Sequence, residues 1–251
     1  MTRLERAIAL LLFAVLIGGW EIAARQLGLS ALVLPPPSRV AGALWRGLAS
    51  GYLWPHVGAT ALELLLGLVA GCAIGFGAGV LLAEVPALRR QLMPYVVVSQ
   101  VVPKLALMPL FIVWFGFGLA PNVVITALIC FFPLLETTLT GLAQVPPAQL
   151  DLFRMLGATR WQTLLRLKLP SGLPAVLAGL RVAVVLALVG VVVGEFIGAS
   201  RGLGALVIAA QGSMDTPLMF AVLVLVSLLG LLLYQLALCL ERRLLRSDSP
   251  G

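Results

Sequence analysis

The sequence predicts an all-α, polytopic membrane protein with six transmembrane helices, and three observations carry that expectation. Of 251 residues, 61% are hydrophobic and only 11% are charged. Mean hydropathy is +1.10, which means more apolar surface than a soluble domain of this size has core to hide. Lysines and arginines, finally, fall unevenly between alternate loops, as they do when a chain is stitched through a bilayer.

The first span covers about residues 7–24, behind Arg3 and Arg6. Trp20, Glu21 and Ile22 spoil a small-residue cleavage site near Ala24, so a retained helix is expected instead of a removed signal peptide. A loop over 27–55 follows, and its "LPPPSRVAGALW" gives an extended entry before Ser38 caps a short amphipathic helix. Trp45, Tyr52 and Trp54 suit the membrane interface. His56 is the only histidine; beside a proline at that interface it reads as structural, not catalytic.

The second span, about 57–83, holds Gly67, Gly71, Gly75 and Gly79 in register every fourth residue within "GLVAGCAIGFGAG". Such a stripe removes side chains from one helix face and lets another backbone come close. The third span, about 92–118, is expected to be broken by Pro94, Pro103 and Pro109. The fourth covers about 123–142 and the fifth about 173–199. The sixth, 218–240, is an uninterrupted apolar run of 23 residues. At ~1.5 Å per residue such a run crosses a hydrocarbon core of roughly 30 Å with some tilt.

With the N-terminus inside, the inner loops hold Arg3, Arg6, Arg89, Arg90, Arg154, Arg160, Arg166, Lys168, Arg242, Arg243 and Arg246. The outer loops hold only Arg25, Arg39, Arg46 and Arg201. Both termini are therefore expected in the cytoplasm. Topology also accounts for the net charge of +7, so it gives no vote for nucleic acid as a partner. Cys72, Cys130 and Cys239 lie in apolar runs with neither a CxxC nor a histidine nearby, which reads as small buried hydrophobes and no metal site.

The inner loop over 143–171 is too long for a simple connector. Pro146 and Pro147 open a helix, and Asp151 suits the positive end of its dipole. Leu150, Phe153, Leu156, Trp161, Leu164 and Leu165 recur at near-helical spacing with Arg154, Arg160 and Arg166 between them. Gly157 costs about 1 kcal/mol inside a helix and so implies a bend or a close contact with another surface. A helix lying in the headgroups fits these facts as well as a protein-docking helix does.

A resemblance separates the two. Asp151-Leu152-Phe153, three residues, Gly157-Ala158, eight residues, Leu167, one residue, then Leu169-Pro170 is similar to the EAA loop, Glu-Ala-Ala-x3-Gly-Ala-x8-Ile-x-Leu-Pro. That loop marks the permease subunits of bacterial ABC importers, here the branch handling nitrate, sulfonates, taurine, bicarbonate and vitamin precursors. "LPPPSRV" at 34–40, "PKLALMPLFIVWFGFG" at 103–118, "FFP" at 131–133, "GLRVA" at 179–183 and "GEFIGASRGLGALV" at 194–207 extend the likeness over nearly the whole chain. The departures are Asp for Glu and Leu-Phe for Ala-Ala at 151–153.

The resemblance implies a single permease domain over 1–251 with the type I ABC importer fold, placed in the bacterial inner membrane. It implies that residues 145–170 dock on a separate cytoplasmic ATPase. Phe153, Leu156 and Trp161 would be apolar contacts, and Asp151, Arg154 and Arg160 polar ones. Gly157, followed by Ala158, would permit close approach, and Leu169-Pro170 would end the segment. No GxxxxGK[ST] run occurs, so ATP and Mg belong to that partner, and no cofactor is expected in this chain.

Further implied partners are an extracytoplasmic solute-binding protein landing near Arg201, a second permease copy as a homodimer, and membrane lipid. The pathway then runs among spans two to five. Ionisable residues within spans are costly, so Glu63, Lys104, Glu136, Arg181 and Glu195 should face the bundle interior or a wet cavity. Ser99, Gln100, Lys104, Thr126, Glu136, Thr137, Thr138 and Arg181 are pathway candidates; an ion pair of Lys104 with Glu136 or Glu63 is the structural alternative. An ion-coupled carrier or channel would also show spans and buried charges, though it needs no such inner loop. An intramembrane enzyme would want a serine–histidine pair or a carboxylate dyad in the spans, and no GxSxG occurs.

Overall fold

Proline opens most helices of the computed structural model, which describes residues 3–26 and 32–246. Pro37, Pro55, Pro86, Pro109, Pro147 and Pro217 all lie in the first positions of a helix, where the missing N–H costs nothing. The helices are α1 (Arg3–Gln26), α2 (Pro37–Ala49), α3 (Trp54–Glu84), α4 (Pro86–Val101), α5 (Met108–Phe115) and α6 (Leu119–Ala143). They continue with α7 (Pro147–Met155), α8 (Arg160–Thr163), α9 (Leu169–Gly198), α10 (Leu203–Gly212) and α11 (Thr216–Arg246). No strand occurs among the described residues.

Four of these helices are long and apolar enough to cross a bilayer: α3, α6, α9 (continuous from Arg160) and α11. A fifth crossing forms if α4 and α5 count as one span, with a bend of 80° between them. The break sits at Val102-Pro103, followed by a 3₁₀ turn over Lys104–Leu107. Pro94, by contrast, stays inside α4. Helix α1 covers the segment expected as the first span, and its Leu11–Leu16 side chains are largely uncovered.

The core is built on α6, which lies between α3 and α9. Gly67, Gly71, Gly75 and Gly79 of α3 are all buried against it. A Cβ on Gly71 would meet the carbonyl oxygen and Cα of Ala127, and one on Gly75 the carbonyl of Phe131. On the other side, Gly172 of α9 meets Gly141, Gly179 meets Thr137, and Gly194 meets Asn122. Leu64, Leu68, Cys130, Leu134, Ala183, Ala187 and Val191 fill the space between the three helices.

Contacts sort the elements to two ends. At one end α10 packs beside the start of α3, since Leu203 and Leu206 cover Leu53. Helix α2 also sits there, with Val40 and Ala43 on Ala221 of α11. At the opposite end lie the junction of α3 with α4, including Arg89 and Arg90, and the α7–α8 segment. Helix α1 runs from, and α11 towards, that second end, because Glu21 near the tail of α1 holds Ser38 and Ala221 near the start of α11 packs on Val40, both at the first end. Residues 27–31 of the long loop, and the side chains of Arg3, Arg6 and Arg246, lie outside the described residues.

Ser38 does not cap α2, contrary to the sequence expectation. It lies inside the first turn, with Pro36 at the cap position, and hands its N–H and hydroxyl to Glu21 at 3.0 and 2.8 Å. A carboxylate from α1 thus supplies the acceptor that the local sequence lacks.

Candidate functional site

Two places carry chemistry beyond packing: a hairpin at one end and a polar break in the bundle wall. Helix α7 ends at Met155, and Gly157 adopts φ 69° in the left-handed region, reversing the chain. Its N–H reaches the Arg154 carbonyl, while Ala158 N–H reaches that of Phe153, both at 3.0 Å. Thr159 then caps α8 through a reciprocal box: Gln162 N–H donates to Thr159 Oγ1 at 3.2 Å, and Thr159 N–H to Gln162 Oε1 at 2.9 Å. Helices α7 and α8 are therefore set at an angle about Gly157.

The hairpin leaves apolar side chains uncovered. Met155 is 85% exposed, Leu156 73% and Trp161 66%. Phe153 and Ala158 are half-buried, whereas Asp151 and Arg154 pair with each other on the surface at 2.8 Å. Arg160 faces a cleft of ≈ 420 Å³ shared with Glu84, Arg154 and Lys168. Lys168 Nζ donates to Glu84 Oε1 at 2.6 Å, with both side chains about one-fifth exposed, and so ties the hairpin base to the end of α3.

The bend expected at Gly157 is present: among the described residues nothing lies within 4 Å of a Cβ placed there, and its left-handed backbone conformation requires the glycine. Leu169-Pro170, by contrast, does not stop the helix. A π turn over Leu164–Lys168 carries the helix straight into α9, with Leu169 N–H bonded to Leu164 O. The wider turn accommodates the proline without a stop, so the hairpin is rigidly continuous with a core helix.

The second place is the bend between α4 and α5. Gln100, Pro103 and Lys104 line a cavity of ≈ 400 Å³ together with Phe132 and Pro133 of α6 and Val189 of α9. Lys104 Nζ donates to Gln100 Oε1 at 2.7 Å; it pairs with neither Glu136 nor Glu63. Ser99 is exposed on α4 and returns its hydroxyl to Val96 O.

The remaining pathway candidates lie elsewhere. Thr126 and Thr137 turn into the glycine faces of α3 and α9, bonding Asn122 O and Pro133 O, because a notch without a side chain needs filling. Thr138 fills the notch beside Gly79 with its Cβ and methyl group, and its buried hydroxyl has no partner among the described residues. Arg181 lies 3.0 Å from Glu241 of α11 and lines a second cavity of ≈ 400 Å³ with Val185, Leu186 and Tyr234. Glu136 is half-buried with no ion pair among the described residues.

A buried polar clamp at the α10 end escaped sequence reading. Thr60 donates to Glu195 Oε1 at 2.6 Å and receives Leu203 N–H at 2.8 Å, while Gly204 N–H reaches Glu195 Oε2 at 2.5 Å. Asn122 donates to Glu63 Oε2 at 2.8 Å. His56 Nδ1 lies 3.0 Å from Gly202 O, giving the only histidine a structural place. The start of α10 is thus sewn to α3 and α9. The one available signal was the cost of leaving Glu63 and Glu195 unpaired in apolar helices.

An all-α bundle with apolar crossings, a broken span beside a cavity and an uncovered hairpin continuous with a core helix defines a membrane transport subunit. The chain belongs to the family described as binding-protein-dependent transport system inner membrane component, whose model matches residues 71–246. It is 39% identical over 230 residues to the riboflavin transport system permease protein RibX of Chloroflexus aurantiacus, covering 92% of this chain and 86% of that protein. It is 36% identical to the formylaminopyrimidine transport permease protein ThiX of Halalkalibacterium halodurans, covering 88% of each. Identity to the taurine transport system permease protein TauC of Escherichia coli is 32%, over 90% of this chain and 83% of TauC.

In fold it is similar to a chain of the inward-facing MetNI methionine ABC transporter. The TM-score is 0.66 at 22% identity, covering 76% of this chain and 94% of that one. The protein is an inner-membrane permease subunit of an ABC importer with the type I fold. It is a transport subunit and not an enzyme. Membership of this family leaves the ion-coupled carrier without support.

Proposed function

We propose that the chain forms the translocation pathway as a homodimer, with α1 as the first of six spans and lipid around it. A cytoplasmic ATPase subunit grips the α7–α8 hairpin from below, and an extracytoplasmic binding protein delivers solute above, near Arg201 and α10. Both termini are then cytoplasmic, on the hairpin side. ATP and Mg stay on the ATPase, and this chain carries no cofactor.

The observation that carries this reading is the hairpin. Its uncovered Met155, Leu156 and Trp161 stand on a Gly157 turn and a Thr159 capping box, and the π turn joins it to α9 without a break. Asp151, Arg154 and Arg160 provide its polar rim. A rigid lever of this kind passes a rotation at its tip to the core helix behind it. Nucleotide shifts the inward–outward equilibrium only as far as it binds one arrangement better, so the tip must report which one is present.

Cargo is a small solute of the kind named for the relatives: a vitamin or pyrimidine precursor, or a sulfonate. Reconstituting the chain with its ATPase and binding protein tests the whole reading. Uptake should need all three components and stop with vanadate. Uptake by the permease alone would refute it.

A further inference from the structure

The cavity at the α4–α5 bend has a one-sided hydrogen-bonding inventory. An ammonium only donates, so the 2.7 Å bond from Lys104 Nζ fixes the Gln100 amide with its carbonyl oxygen towards Lys104. The Gln100 Nε2 is then buried with no hydrogen-bond partner among the described residues. Buried polar groups are almost always satisfied, and one that is not calls for a ligand or another explanation. The other cavity residues bear apolar side chains, among them Pro103, Phe132, Pro133 and Val189. Two N–H groups of the ammonium and two of the amide are left, and no side-chain acceptor faces them.

Two backbone oxygens of the wall are also taken: Pro103 O accepts Ala106 N–H, and Pro133 O accepts the Thr137 hydroxyl. The lining side chains therefore offer donors on a mostly apolar surface, the pattern of a pocket that fixes one end of a small molecule.

We infer that this cavity is the solute subsite of the permease, and that Gln100 and Lys104 select a solute carrying hydrogen-bond acceptors, either ring carbonyls or sulfonate oxygens, against amines and other cations. The inference rests on the proposed function and adds the place in the chain where the cargo is selected and the groups that select it. A cation entering here meets the Lys104 ammonium, and no carboxylate lines the wall to offset it. Selection at this point acts after the binding protein has released its load, so it filters what the pathway passes.

The test uses the full complex of permease, ATPase and binding protein in proteoliposomes, with riboflavin, taurine and choline as probes. Solute moved per ATP hydrolysed is the readout, with co-purification of the ATPase confirming assembly. The wild-type complex should move riboflavin or taurine. Riboflavin assigns the acceptor to ring carbonyls, and taurine assigns it to a sulfonate. For the probe that is moved, Lys104→Met and Gln100→Leu should each lower the ratio at least tenfold, and Lys104→Arg should retain a third or more. Unchanged ratios in both apolar variants would overturn the subsite while ATP-driven uptake by wild type upheld the permease reading. Uptake of choline alone would do the same. ATP-independent uptake, or none of any probe, would overturn the proposed function and the subsite with it.

Discussion

Replacing Gly71 with alanine sets two opposing effects against each other. Alanine is favoured over glycine in a helix by about 1 kcal/mol. The added Cβ, however, would meet the Ala127 carbonyl oxygen, the Ala127 Cα at 2.8 Å and the Cys130 Cβ at 2.9 Å. Two of those three atoms are backbone, so α6 itself has to retreat. Overpacking costs typically about 1–3 kcal/mol, and contacts under 3.0 Å with backbone place Gly71 at the upper end, about 2–3 kcal/mol, so the net loss is on the order of 1–2 kcal/mol. At roughly 2–4 °C per kcal/mol for a chain of this length, the melting midpoint in detergent should fall by roughly 2–8 °C.

Gly77, six residues further along the same helix, is the internal control, because a Cβ there meets nothing within 4 Å. Gly77→Ala should hold or raise the midpoint. Thermal melts of both variants, followed by gel filtration of the surviving monodisperse fraction, give the comparison. Equal shifts for the two would refute the claim that α3 and α6 meet backbone to backbone.

Other variants probe the hairpin and the clamp. Gly157→Asn should keep more than half of ATP-driven uptake, since asparagine tolerates the left-handed region, whereas Gly157→Val should abolish it; the φ of 69° sets that order. Thr159→Ala removes a capping box worth about 0.5–2 kcal/mol, so amide exchange at residues 159–163 should quicken roughly 2- to 30-fold by mass spectrometry. Glu195→Leu strips the acceptor from Thr60 and from Gly204 N–H, at about 1–3 kcal/mol for each group left unsatisfied. Its melting midpoint should fall well below that of Glu195→Gln, which keeps one acceptor oxygen.

What the sequence disclosed follows from periodicity. Four glycines at intervals of four announce a bare helix face, and α3 presents that face to α6. Prolines 94, 103 and 109 announce a broken span, but only partner geometry decides that the chain bends at 103 and stays helical through 94. A shorter series, Gly190, Gly194 and Gly198, carried the same signal for α9 and was passed over. Pairings such as Thr60 with Glu195, 135 residues apart, have no local signature, because they depend on α10 folding back over the start of α3. Pro170 depends on its surroundings in a similar way. A proline stops an isolated helix, but a π turn ahead of it lets the chain run on.

Thiol crosslinking at the hairpin tip tests the coupling claim most directly. In a Cys239→Ser background, which removes the exposed native thiol, Leu156→Cys should bond to a cysteine introduced on the ATPase surface of the assembled complex. The yield should change between nucleotide-free and vanadate-trapped states as the lever moves. Absence of any crosslink in every state, with the same thiol labelled by an impermeant maleimide from outside intact cells, would contradict the account.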